Sequence, residues 1–443
     1  MEGYRLSQYL EKIFETPSKD FSEWFGYYNY DTLTSDHSKM LCNRIKEDGI
    51  VPRADLLIEV GYYDIPSGNW HHVGYSDSWN WQQGCMAQWI NDNEIIYNSS
   101  KDNHHIAIIH NIETKENRKI DWAVYGITPD GKKSISLDME RAHWCRAYHY
   151  ESVVDEKKDG LVYENDGIFE IDLERNTCQR IISIQDIIAL DKRPYFDYAK
   201  HWLEHIMINQ DGTKFCVLHR FSHKDNIYLY KTRLIIIDIQ TLEMECVSNW
   251  ENTQWSHFGW NNDEFIVYSY PSIRKISSKD FVSSNFSGNN RKAISHFRLL
   301  QKINRLIRQV MPIWLDDKLR GTRKHYQIYS RKEQGYYISD RFKNRLFDID
   351  GHPSFVVNKN YIITDTYPDK KNIQRLIVYN TKTHKSLILG SFNAFFKGNP
   401  ASCDLHPKLS KDGQYVVVDS AHDDKHHMLM FKLNWNKIEQ ILE

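Results

Sequence analysis

HPKLSKDGQYVVVDS, residues 406–420, sets an apolar strand after the turn Lys411-Asp412-Gly413-Gln414 and a shorter one before it. Asp-Gly between apolar runs marks a tight β-hairpin, because these residues tolerate the positive φ of such turns. The same form recurs in SDHSKML around Asp36, AQWINDNEIIYNS around Asp92, YGITPDGKKSISLD around Asp130 and HIMINQDGTKFCVLH around Asp211. It appears twice more, in HFGWNNDEFIVYSY around Asn262 and HPSFVVNKNYIITDT around Asn358. Second strand pairs follow most of these hairpins, as in IAIIHNIETKENRKI (106–120), GIFEIDLERNTCQRI (167–181), LIIIDIQTLEMECV (234–247) and LIVYNTKTHKSLIL (376–389). Two hairpins make a four-stranded antiparallel blade, and seven blades close into a ring with only short, protected edges. The expected fold is therefore all-β, a seven-bladed β-propeller over residues 21–443.

Two segments fall outside that scheme. Residues 1–20 carry Leu6, Leu10, Ile13 and Phe14 at helical spacing, which predicts a short N-terminal helix packed on the ring. Residues 277–330 are expected to interrupt the sixth blade as a partly helical insertion. Within them, over 296–311, Leu299, Ile303, Leu306 and Val310 share one face of a basic amphipathic helix. That helix is either a lid on the propeller or a contact for a partner or a membrane surface.

Composition narrows the function. The chain of 443 residues balances 57 Lys and Arg against 59 Asp and Glu, for a net charge of −2. A general nucleic-acid surface would need a basic excess, so no nucleic-acid partner is expected. Seven scattered cysteines without a CxxC pair argue against a disulfide framework. MEGYRLSQYLEKIFE has no apolar core of a signal peptide, and no run reaches the ~18 apolar residues of a transmembrane segment. A cytoplasmic location is the expectation. The 27 Tyr and 13 Trp suit half-buried strands, and also grooves that bind sugars through flat aromatic faces.

Aligning the hairpins on their turns brings four histidines into register. His205, His352 and His406 stand six residues before Asp211, Asn358 and Asp412, and His257 stands five before Asn262. Equivalent positions on successive inner strands converge at one mouth of a propeller channel. Clustered imidazoles are costly unless a metal, an anion or proton transfer uses them. A divalent metal is one use, with Asp365 or Cys403 completing the shell. Trp79, Trp81, Gln82 and Gln83 lead into the Asp92 hairpin, Tyr367 follows the Asn358 hairpin, and all five are candidates to bind substrate at that mouth. His219 and Arg220 close the Asp211 hairpin, while Tyr268, Tyr270 and Arg274 follow the Asn262 hairpin.

FGYYNYD (25–31), WNWQQG (79–84), ITPDGKKSISLD (127–138), HWLEHIMINQDGTKFCVLHR (201–220), SHFGW (256–260), DGHPSF (350–355), TDTYPD (364–369) and CDLHPKLSKDGQYVVVDSAH (403–422) complete the motif set. In this order they resemble the bacterial seven-bladed propeller polysaccharide lyases, the oligogalacturonate-lyase-like and ulvan-lyase-like proteins. The resemblance spans the chain except its first twenty residues and 277–330. It implies β-elimination on a uronate-bearing polysaccharide or oligosaccharide, with a divalent metal (Mn, Zn or Ca) or an arginine neutralising the carboxylate. It further implies His205 or His219 as base, His257, His352 and Asp365 at metal-ligand positions, Arg220 or Arg274 as neutraliser, and Tyr268 or Tyr270 as acid. Register adds His406 to the metal candidates. Relatives with WNWQQG and DGHPSF-like motifs also accompany surface-polysaccharide synthesis, so a non-catalytic propeller that binds glycan or a partner is the second reading. No GxSxG, P-loop or GxGxxG follows a strand, which disfavours serine hydrolases and nucleotide-dependent enzymes.

Overall fold

Aspartate turns and apolar strands organise the chain as read. The computed structural model describes residues 3–47, 49–146, 150–153, 160–223, 226–247, 253–262, 264–271, 325–332, 335–342, 345–395 and 401–443. Its strands pair into seven antiparallel sheets, six of four strands and one of five. Blade 1 runs Ser22–Trp24, Lys39–Ile45, Ile58–Asp64 and Asn69–Ser76; blades 2 to 7 begin at Gln88, Gly126, Ala199, Thr253, Ser354 and Lys408. Every one of the seven turns joins the first strand of a blade to its second. The turns close on themselves: the Asp412 carboxylate accepts from the Ser410 hydroxyl (2.6 Å) and the Gln414 amide (3.0 Å). Gly413 beside it holds φ +68°, the left-handed region that favours glycine.

Blades stack face to face, so second strands bury both sides and lose the one-sided alternation of a surface sheet. Val416, Val417 and Val418 are all fully buried. Val416 and Val418 pack with Leu429 and Phe431, while Val417 joins the larger core on the other face. All seven cysteines are free, as expected. Among the described residues no helix is long and apolar enough to cross a membrane.

The N-terminus is not helical. Tyr4–Leu6 pairs with Gly390–Phe392 as a fifth strand of blade 6, and Leu10–Glu15 pairs with Leu429–Leu433 as the outer strand of blade 7. The chain's C-terminal part supplies only three strands to blade 7, so its start closes the ring. Two short strands separated by a turn at Ser7–Tyr9 mimic helical spacing, and their partners lie hundreds of residues away. The expected insertion is also displaced. It enters blade 5, between the strands Glu264–Pro271 and His325–Lys332, so residues 325–330 are strand rather than insertion. The expected helix over 296–311 lies outside the described residues.

The hub is filled by the chain itself. After Trp24, residues Phe25–Asp31 leave the innermost strand of blade 1, which resumes at the Leu33–Met40 bridge. The Tyr28 hydroxyl donates to the Phe258 carbonyl of blade 5, and the Asp419 carboxylate of blade 7 receives the Phe25 and Gly26 amides. Beyond this plug lies a cavity of about 610 Å³ on the turn side of the ring. Its lining begins one to three residues after each ring histidine, at Ile206, Gly259, Pro353 and Leu409.

Candidate functional site

The four histidines converge, three of them in direct contact. The rings of His257 and His352 lie 4.2 Å apart, as do those of His352 and His406. Tyr27 of the plug links the fourth, stacking on His205 at 5.0 Å and meeting His406 edge-on at 5.5 Å. His205 and His406 hold positive φ, +54° and +42°, an uncommon backbone for a side chain of that size. Strain of this kind persists only where the surroundings over-determine it, and it gathers at functional sites.

His352, Asp404 and His406 present ligand atoms that lie within 4.8 Å of one another, all buried. His352 Nε2, His406 Nε2 and Asp404 Oδ1 have no hydrogen-bond partner. An unpaired buried polar atom costs about 1–3 kcal/mol, and here three of them sit on the residues of one cluster. Their opposite sides are all engaged. His352 Nδ1 lies 3.0 Å from both Asp365 oxygens, His406 Nδ1 donates to the Gly26 carbonyl (2.9 Å), and Asp404 Oδ2 accepts from Gln82 Nε2 (3.3 Å). Protons fixed on the Nδ1 atoms leave the Nε2 lone pairs aimed at the shared point, the outer-shell arrangement of metal-binding histidines. Two imidazoles and one carboxylate suit Zn, Mn, Fe or Ni; Ca, which takes oxygen ligands, fits poorly.

Asp365 is an orienting residue here. Besides holding the His352 ring, its oxygens accept the backbone amides of His352 (2.6 Å) and His406 (3.1 Å), so both oxygens are engaged in orienting the two histidines. Asp404, within the Cys403-to-His406 tetrapeptide, takes the place expected of it. His257 stands beside the trio with Nδ1 3.2 Å from Asp350 Oδ1.

Charge is finely balanced in this group. Burial pushes the Asp404 carboxyl up to about 7, while His352 pulls it down. Burial works to lower His352 as well, but Asp365, Asp404 and Asp350 outweigh it and leave the imidazole above its ordinary value. His406 falls well below that value through burial and then through His352, Lys408 and His257. Burial and His352 also lower His257.

The other expected site residues part company. His219 is fully buried and its hydrogen bonds are spent: Arg233 donates to its Nδ1, its Nε2 meets His201 Nδ1 at 2.9 Å, and His201 Nε2 meets the Phe196 carbonyl. It cannot serve as the base. Tyr268 is buried and gives its hydroxyl to the Asp348 carbonyl, so it is not placed to protonate a leaving group. Arg274 and the Tyr270 side chain lie outside the described residues. Arg220 is 3% exposed, paired with Glu204 at 3.0 Å and stacked over Tyr230. His205 is buried beside the same Glu204, at 3.4 Å.

Trp79 and Trp81 are core residues, not a sugar platform. Their indole nitrogens donate to the Leu56 and Ile50 carbonyls, and both rings pack on Trp24. Gln83 is buried between Tyr125 and Tyr150. From that motif only Gln82 reaches the trio. Tyr367 is half-buried, 5.8 Å from the His257 ring and 5.6 Å from His352. Residue reasoning missed Asp404, Asp350 and the plug. An Asp-x-His pair does carry a signal, since alternate side chains of a non-helical run share a side.

No family model and no curated protein matches the chain. Among solved structures it is similar to the periplasmic gluconolactonase of Pseudomonas aeruginosa (8% identity, 83% of this chain, 85% of that one, TM-score 0.41). It is also similar to an uncharacterized protein of Listeria monocytogenes (10%, 75%, 72%, TM-score 0.34) and a levansucrase of B. megaterium (9%, 74%, 88%, TM-score 0.29). At these scores the likenesses carry no argument about chemistry, and the propeller stands on its own strand pairing.

Proposed function

We propose that this chain is a metal-dependent polysaccharide lyase that cleaves a uronate-bearing glycan by β-elimination. The observation that carries the reading is the set of three unpartnered, pre-oriented ligand atoms on His352, Asp404 and His406, with His257 alongside. A divalent cation held by these residues would supply Lewis acidity to neutralise the uronate carboxylate and make the C5 proton removable.

His257 is the base. Its side chain is 16% exposed, against 8% for His205 and 1% for His352, so it is the ring histidine that substrate can reach. With Nδ1 turned to Asp350, Nε2 is the atom that takes the proton, and the Asp350 carboxylate stabilises the imidazolium formed. Its lowered pKa keeps it neutral near pH 7. Tyr367, whose ring meets His257 edge-on, is the proposed acid that protonates the departing glycosidic oxygen. Arg220 is buried and already paired with Glu204, which leaves carboxylate neutralisation to the cation.

The deep burial of His352 and His406, 1% and 2% exposed, favours a second reading in which the cation is structural and the propeller only binds glycan or a partner in polysaccharide assembly. Incubation with a panel of uronate polysaccharides in Mn²⁺ or Zn²⁺ separates the two. Lyase action gives a rising ultraviolet absorbance from the new C4–C5 double bond. No rise with any polymer, beside measurable glycan binding, selects the second reading.

A further inference from the structure

We infer that Asp419 is a positioning residue for the hub metal group, acting on His406 through the backbone of Gly26. This rests on the metal reading of the trio and adds a residue outside it. Asp419 sits on the second strand of blade 7, fully buried, with Lys408 Nζ at 2.8 Å. Its Oδ1 accepts the Phe25 amide at 3.1 Å and its Oδ2 the Gly26 amide at 3.0 Å. One carboxylate thus clamps two successive peptide units of the plug to the wall of the ring.

The clamped peptide leads directly to the site. Gly26 holds φ +123°, and a Cβ there would lie 2.4 Å from the Gln83 carbonyl carbon, so its backbone has no freedom to give. Its carbonyl is the acceptor for His406 Nδ1–H. That bond places the proton on Nδ1 and turns Nε2 toward His352 and Asp404. Asp419 touches neither substrate nor cation; its effect passes across the Gly26 backbone, from the amide it holds to the carbonyl that meets His406, and through one hydrogen bond. The motif FGYYNYD therefore works as part of the metal centre although none of its side chains is a ligand.

Asp419→Asn keeps the shape but offers an amide donor where Gly26 N–H or Lys408 needs an acceptor. Loss of an outer-shell partner of a metal-binding histidine typically costs 10–100-fold in affinity. Titration of the metal-free full chain with Co²⁺, followed by its visible absorption, gives both affinity and ligand geometry. The expected result is Co²⁺ binding to the unaltered chain, at least about tenfold weaker binding with a changed spectrum in Asp419→Asn, and unchanged binding in Val417→Ala. Val417 lies on the same strand, fully buried, with no polar link to the plug, so it reports general loosening of blade 7. Equal Co²⁺ affinity in Asp419→Asn, or an equal loss in Val417→Ala, overturns the inference. No binding by the unaltered chain instead overturns the metal reading beneath it. Should Asp419→Asn not fold, Asp419→Glu keeps the negative charge for Lys408 but moves both acceptor oxygens by one methylene, and the same weakening and spectral change are expected of it.

Discussion

At the residue scale the account turns on His257 and Asp404. His257→Gln should lower turnover by about 10²–10⁴-fold, the usual worth of a general base, while leaving bound metal unchanged. Metal analysis beside steady-state rates checks both halves. Asp404 makes a pH prediction. In the folded, metal-free chain its carboxyl keeps its proton up to about 7, whereas the unfolded chain releases it near 3.8. Between those values the folded state holds the extra proton, so metal-free stability should fall as pH rises from about 4 to about 7 and stay lowered above. Asp404→Asn removes that slope. Denaturant unfolding of both proteins without metal should show the variant gaining on the parent between about pH 5 and about pH 7.5. A constant difference contradicts it. The histidines were legible because a repeat places them in register. Asp404 was not, because Asp365 stands more visibly at a strand end, and only the folded chain brings both its oxygens against the amides and ring of the two histidines.

At the element scale the ring depends on two strands whose partners local sequence cannot name. Leu6, Leu10, Ile13 and Phe14 follow helical spacing, yet Leu10 lies opposite Leu433 and Phe14 opposite Met430. Tertiary pairing overrode the local period. Leu10→Ala should cost ~2 kcal/mol, the low end for a buried leucine because the strand is an outer one. Deleting residues 3–16 should abolish a single cooperative melt, since blade 7 would be left with three strands. A calorimetric trace unchanged by the deletion would refute the closure. WNWQQG failed as a sugar platform for a related reason. Aromatic content signals burial and sugar binding alike, and the packing of Trp81 on Trp24 and His426 decides between them. The turns read correctly because their chemistry is mostly local, with Asp36, Asp130, Asp211 and Asp412 each closing its own hairpin.

At the scale of the whole molecule, the hub divides the channel into two ends. The plug gives Gly26 to the histidine side and Tyr28 to the floor of the cavity on the turn side. A centre built from blades 6 and 7 and braced by a loop of blade 1 requires the closed ring, so metal binding and closure should stabilise one another, as any ligand of the native state does. The most direct test of the hub centre is calorimetric titration of the metal-free chain with Zn²⁺ and with Mn²⁺, run beside His406→Ala and Asp404→Ala. The account predicts one ion per chain in the parent and none held by either variant. Absence of binding in the parent, or equal binding by parent and variants, would contradict it.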